Sequence, residues 1–84
     1  MNLRFTTRAW DDYLYWQQND RAILRRINLL IRDIARSPFE GIGQPEPLRY
    51  SLGGDWSRRI DIAHRIVYRV ADGTLIVLQC RYHY

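Results

Sequence analysis

Eighty-four residues carrying a net charge of +4 leave room for one domain (residues 1–84) with one small core, and the charge favours an anionic partner. The single cysteine excludes an internal disulfide, and no stretch approaches the roughly 18–20 apolar residues that a membrane span needs. No apolar run follows Arg4, so the N-terminus does not read as a signal peptide and a cytoplasmic location is expected.

All 13 basic side chains are arginine, whose planar fork matches phosphate bidentately and stacks on bases. Codon composition alone would also replace lysine with arginine. Three Trp, six Tyr and two Phe add stacking surface, most of it expected in the core.

Asn2 to Phe5 reads as a short strand, with Leu3 and Phe5 on one face. Thr6 or Thr7 can cap the helix that follows, whose apolar stripe is expected at Trp10, Tyr13 and Leu14. Asp11 and Asp12 are expected in its first turn, at the positive end of the dipole. Asn19-Asp20 breaks the pattern and caps a longer helix with Ile23, Ile27, Leu30, Ile31 and Ile34 at a period near 3.6. Ser37-Pro38 ends it, because proline disfavours helical geometry in its predecessor. From Phe39 to Arg49 the chain reads as a loop in which Pro45 and Pro47 hold Glu46 at a set angle. Leu48–Leu52, Trp56–Ile62, Arg65–Val70 and Thr74–His83 read as strands. The order predicts an α+β domain, with two N-terminal helices packed on one face of a mainly antiparallel twisted sheet.

Alternation puts Arg65, Val67 and Arg69 on one face of their strand, and Gln79, Arg81 and His83 on one face of the last. Parity likewise selects Arg59 over Arg58 for the arginine-bearing face. Those faces coincide if the hairpin closes through a three-residue loop, Ala71-Asp72-Gly73, which also buries Ile66, Tyr68, Leu78 and Cys80 together. The three-residue loop is therefore expected; a two-residue Asp72-Gly73 turn would set Arg65 against His83 across the sheet and remove the site.

These residues suit RNA cleavage, because RNA carries its own nucleophile, the 2′-hydroxyl. An enzyme need only deprotonate it, stabilise a phosphorane and protonate the departing 5′-oxygen. Glu46 can be the base, His83 the acid and Arg65 the phosphate clamp, with no cofactor; the reverse assignment of acid and base is disfavoured because a carboxylate is ionised near neutral pH. Two histidines, one cysteine and no carboxylate cluster offer no metal constellation. His64 reads as a packed structural histidine and Cys80 as core.

Several stretches then become recognisable: residues 10–16 (WDDYLYW), 37–41 (SPFEG), 45–48 (PEPL), 56–60 (WSRRI), 64–68 (HRIVY) and 81–84 (RYHY). Over nearly its full length the chain resembles the YoeB toxins of the RelE/ParE toxin superfamily. That resemblance implies the microbial-RNase-like fold and a toxin of a type II toxin–antitoxin system that cuts mRNA in the ribosomal A site. It implies Glu46 as general base, His83 as general acid and Arg65 as transition-state stabiliser. Arg49, Arg59, Arg81 and Tyr84 are assigned to substrate binding. Position 49 is commonly lysine in the family, and a fork is not a point charge. Ala63 stands where the family carries an acidic residue. The implied partners are a YefM-like antitoxin, operator DNA bound as the toxin–antitoxin complex, and a second copy of the chain.

Two other functions compete. The superfamily fold also permits a ParE-like gyrase poison, but that leaves Glu46 and His83 without a task. A non-catalytic RNA-binding module is opposed by a carboxylate aimed at a phosphate-binding face.

Overall fold

The computed structural model describes residues 1–83. Its elements are β1 (Asn2–Phe5), α1 (Thr7–Asn19), α2 (Arg21–Arg36), β2 (Glu46–Pro47), β3 (Trp56–Arg59), β4 (Arg65–Ala71) and β5 (Thr74–Gln79). The strands form one sheet in the order β1-β5-β4-β3-β2, antiparallel except where β1 runs parallel to β5. This is the α+β architecture expected.

Local chemistry sets the helix ends. Thr6 Oγ1 accepts the Ala9 N–H at 3.1 Å. Asp20 serves both helices: its N–H closes α1 onto the Trp16 carbonyl at 2.9 Å, and its Oδ1 accepts the N–H groups of Ala22 and Ile23, each at 3.1 Å. The Ser37 N–H closes α2 onto Asp33 at 2.9 Å, and Pro38 follows. The α2 stripe is as read, with Ile27, Leu30 and Ile34 buried against Ile66, Tyr68, Leu75 and Val77 of the sheet.

The α1 stripe is not. Trp10 and Leu14 are exposed, while Ala9, Asp12 and Trp16 are buried. Asp11 and Asp12 also lie beyond the first turn, which holds no acidic residue. The buried face of α1 is chosen by what it covers, the backbone at the end of β5. Thr6 Oγ1 donates to the Leu78 carbonyl at 3.1 Å. Asp12 Oδ2 accepts the Cys80 N–H at 3.0 Å, and Trp16 Nε1 donates to the Cys80 carbonyl at 2.8 Å. A face that must satisfy backbone groups needs polar atoms, so apolar spacing misreads it.

Those bonds also end β5 at Gln79 instead of His83, because the Cys80 backbone is captured by α1 side chains and not by a strand. β3 ends at Arg59 instead of Ile62: Asp61 Oδ1 takes the N–H groups of Ala63 and His64 and folds the chain into a turn. The strand expected at Leu48–Leu52 is absent; β2 lies just before it, and the Leu48 N–H closes onto the Asp55 carbonyl at 2.9 Å.

The hairpin also differs. Ala71 faces Thr74 across a two-residue Asp72-Gly73 turn, with φ of 52° and 70° at its two residues. The register then shifts by one: Tyr68 faces Val77, yet Val67 faces Gln79. Leu78 is the extra residue, a β-bulge, and is only partly buried. Leu75 and Val77 before it and Cys80 after it supply the core face. The bulge therefore brings Gln79 onto the face of Arg65, the result expected from the longer loop.

Gly43 ties the loop after α2 to the sheet, its carbonyl accepting the Arg59 N–H at 2.6 Å. Its φ is +81°, and a Cβ there would lie 2.9 Å from Leu30 Cδ2 and 3.1 Å from the Arg59 oxygen. Gly43→Ala is expected to cost about 1–3 kcal/mol, read as a shifted urea midpoint at unchanged m-value.

Candidate active site

One row of residues crosses four strands on the face away from the helices. Glu46 on β2 faces Ser57 on β3, Ser57 faces Val67 on β4, and Val67 faces Gln79 on β5. The next row on that face pairs Arg59 with Arg65. Arg65 reaches back between the rows. Its Nη1 lies 3.3 Å from Glu46 Oε1 and donates to Ser57 Oγ at 3.2 Å. The guanidinium is nearly buried, whereas the Glu46 side chain is 46% exposed. A cation thus sits in the floor with a carboxylate open to solvent beside it. Charge-assisted contacts of this kind gain strength where water is excluded from one side.

Buried Arg58 anchors the loop that precedes the Pro45-Glu46-Pro47 segment. Arg58 Nη1 donates to Asp33 Oδ2 at 2.6 Å and to the Ile42 carbonyl at 3.1 Å. Its Nη2 donates to the carbonyls of Ser37 at 2.7 Å and Glu40 at 2.9 Å, and its Nε to the Tyr68 hydroxyl at 3.3 Å. The loop from residue 37 to 42 is therefore wrapped around one guanidinium. Hydrogen bonds from Arg58, then from the Ile42 N–H and Arg36, hold the Asp33 carboxyl below its ordinary range against the effect of burial.

Arg59 is exposed on the site face, as parity requires. Arg49 is exposed and lines, with Glu46, Pro47 and Tyr50, an open cleft of about 590 Å³. His83 is exposed, and its carbonyl accepts a hydrogen bond from Gln79 Nε2 at 3.0 Å, which ties it to the end of the Glu46–Gln79 row. Arg81 does not join Glu46 and Arg65. β5 has ended before it, and its guanidinium stacks over Tyr15 of α1, 3.4 Å from the ring centroid, and over Tyr82 at 4.6 Å. Tyr84 lies outside the described residues.

His64 is half-buried with its ring edge-on to Trp16, centroids 4.8 Å apart, in keeping with a packed role. Burial, reinforced by the charge of Asp12, pushes the Cys80 thiol up to about 12, so it is no nucleophile near neutrality. Alternation places Gln79 on the site face without giving it a role, and Ser57 and Arg58 are not assigned to the site from the sequence. Ser57 shares the face of Arg59 on β3, two residues away, which is the signal that could have found it. Among the described residues, no three His, Cys, Asp or Glu converge as a metal site, and no helix is long and apolar enough to cross a membrane.

A two-helix, five-stranded domain with a carboxylate–arginine pair on its open face has the fold of small bacterial toxins. It superposes on the YoeB/ParE toxin from Agrobacterium tumefaciens with a TM-score of 0.94 and 50% identity, covering 100% of both chains. It also matches the YoeB chain of the heterotetrameric YoeB–YefM toxin–antitoxin complex from Staphylococcus aureus, with a TM-score of 0.90 and 45% identity over 100% of this chain and 98% of that one. Toxin YoeB of Synechocystis is 57% identical over 84 residues, 100% of this chain and 98% of its own. Residues 5–84 match the family described as the YoeB-like toxin of bacterial type II toxin–antitoxin systems, and the chain belongs to that family.

Proposed function

We propose that this toxin is a metal-independent endoribonuclease that cuts mRNA in the ribosomal A site and so inhibits translation. The observation that carries the reading is the 3.3 Å contact between Glu46 and Arg65 on an open sheet face. A phosphate-binding cation with a carboxylate beside it suits a reaction in which a proton leaves next to a phosphate that gains negative charge. Glu46 removes the 2′-hydroxyl proton, and the freed oxygen attacks the adjacent phosphorus. Arg65 stabilises the phosphorane with its fork. His83 protonates the 5′-oxygen as the P–O bond breaks, leaving a 2′,3′-cyclic phosphate and a 5′-hydroxyl. Arg59 and Arg49, exposed near the Glu46–Arg65 pair, would bind flanking phosphates, and Tyr84 matches a further active-site position of the family. The substrate places the toxin in the cytoplasm. A YefM-like antitoxin is its proposed inhibitor, by similarity to the S. aureus assembly, and operator DNA is bound by that complex.

The test is cleavage of mRNA on programmed ribosomes by wild type, Glu46→Gln and His83→Ala. Each variant is expected to lose about a hundredfold in maximal rate, and end-group analysis of the wild-type product is expected to give the cyclic phosphate. Undiminished cleavage by both variants would reject the assignment. Growth arrest with intact mRNA and inhibited gyrase would favour the ParE-like alternative.

A further inference from the structure

The last described residues are fixed to the sheet at several points. Tyr82 has a φ of +68°, a left-handed conformation that costs energy for a side chain bearing Cβ and persists only where the surroundings impose it. Two adjacent residues impose it. The Tyr82 N–H donates to His64 Nδ1 at 2.7 Å, and the Tyr82 carbonyl accepts the Arg65 N–H at 3.0 Å. His64 is itself held, its backbone N–H donating to Asp61 Oδ1 at 2.7 Å and its ring set edge-on against Trp16. Arg81 is pinned between Tyr15 and Tyr82 on one side of the latch. On the other, Gln79 Nε2 holds the His83 carbonyl. A histidine that merely filled space would not offer a ring lone pair to a backbone N–H, and an accepting Nδ1 puts the ring proton on Nε2.

We infer that His64 is a positioning residue for His83: by accepting the Tyr82 N–H it sets the terminal turn and thereby the reach of the general acid. The inference rests on the ribonuclease reading for what His83 does, while the latch is a structural feature with its own readout. Reaction rates fall steeply when a proton donor is displaced by about 1 Å, so one hydrogen bond to the neighbouring peptide has catalytic leverage. His64 touches no reacting atom in this scheme.

The experiment compares wild type, H64N, H64L and H83A in single-turnover cleavage on programmed ribosomes, with maximal rate and half-saturating toxin concentration measured separately. Hydrogen exchange at the Tyr82 amide is followed by NMR on the same proteins. Asparagine offers an acceptor near the position of Nδ1; leucine fills the space without one. H64L is expected to lower the maximal rate about ten- to hundredfold at unchanged half-saturation, with Tyr82 losing exchange protection. H64N is expected to restore most of both. Full activity of H64L with an unprotected Tyr82 amide overturns the inference, and so does an H64N as slow as H64L despite a protected amide. Should H64L fail to fold, H64Q, whose acceptor is displaced by one methylene, replaces it in the comparison with H64N. Equal cleavage by wild type and H83A would overturn His83 as the general acid and with it the role of His64, whereas no cleavage by wild type would overturn the ribonuclease reading itself. An inactive H83A beside an unaffected H64L overturns the latch alone.

Discussion

Arg65→Met is expected to lower mRNA cleavage on the ribosome by about a thousandfold, the scale of an arginine that meets transition-state charge, while leaving the fold in place. Methionine keeps much of the length and volume of the buried stem. What it removes is the charged fork that contacts Glu46 Oε1 and Ser57 Oγ. Glu46 is open enough to find water, while the fully buried Ser57 hydroxyl loses one donor, so the stability cost should be about 1–2 kcal/mol beside the much larger loss of rate. Arg65→Lys separates charge from geometry: a point cation retains attraction for the phosphate but loses the planar fork, and its rate should fall between the two. The double variant Glu46→Gln, Arg65→Met should lose less than the product of the single losses, because the two groups serve one proton transfer and one phosphorane. Single-turnover rates at saturating toxin check all three. An Arg65→Met rate within threefold of wild type would remove Arg65 from the chemistry.

The parity of the strands made much of this site legible. Arg59 and Arg65 were placed on one face, and Arg58 on the other, by alternation alone, and the double-proline segment marked Glu46. The register of β5 was not legible in the same way. Leu75-Ile76-Val77-Leu78 is apolar at every position, so it has no alternation with which to announce a bulge, and a one-residue shift exchanges the two faces. The turn length was therefore misread, although the shift at Leu78 delivers the same face to Gln79. The tail suffered from the same blindness. Arg81 was assigned by strand parity to a strand that stops at Gln79, because Asp12 and Trp16 take the Cys80 backbone. Residues 64 positions or more apart in sequence make those bonds, which no local pattern encodes. The α1 face was misread for the same reason, since it is built to meet peptide groups as well as apolar side chains.

Arg58→Ala is expected to cost about 3 kcal/mol or more, enough to bring a small domain near its unfolding threshold. The residue is fully buried and supplies bonds to Asp33, Ile42, Ser37, Glu40 and Tyr68. Truncation leaves a carboxylate and several carbonyls short of donors in a place where water enters poorly. Replacing both Arg58 and Asp33 with apolar residues should recover part of the loss, because the uncompensated charge is then gone. The acid limb gives a second reading. Asp33 titrates below its ordinary value, chiefly because Arg58 donates to it. Its contribution is therefore present above the unfolded-state value and is lost as pH falls through the lower folded-state one. Wild type should lose stability across that acid window, and Arg58→Ala should lose less there because the depression has gone. Urea midpoints measured from neutral pH down to acid test both claims. The loop held by Arg58 leads directly into Pro45 and Glu46, so the conservative variant Arg58→Lys should separate folding from function. It keeps the cation but has too few donors for the carbonyls of Ser37, Glu40 and Ile42, and is expected to remain folded while cleaving more slowly than wild type. A folded Arg58→Lys with wild-type cleavage would mean that the double-proline segment positions Glu46 without help from the loop behind it.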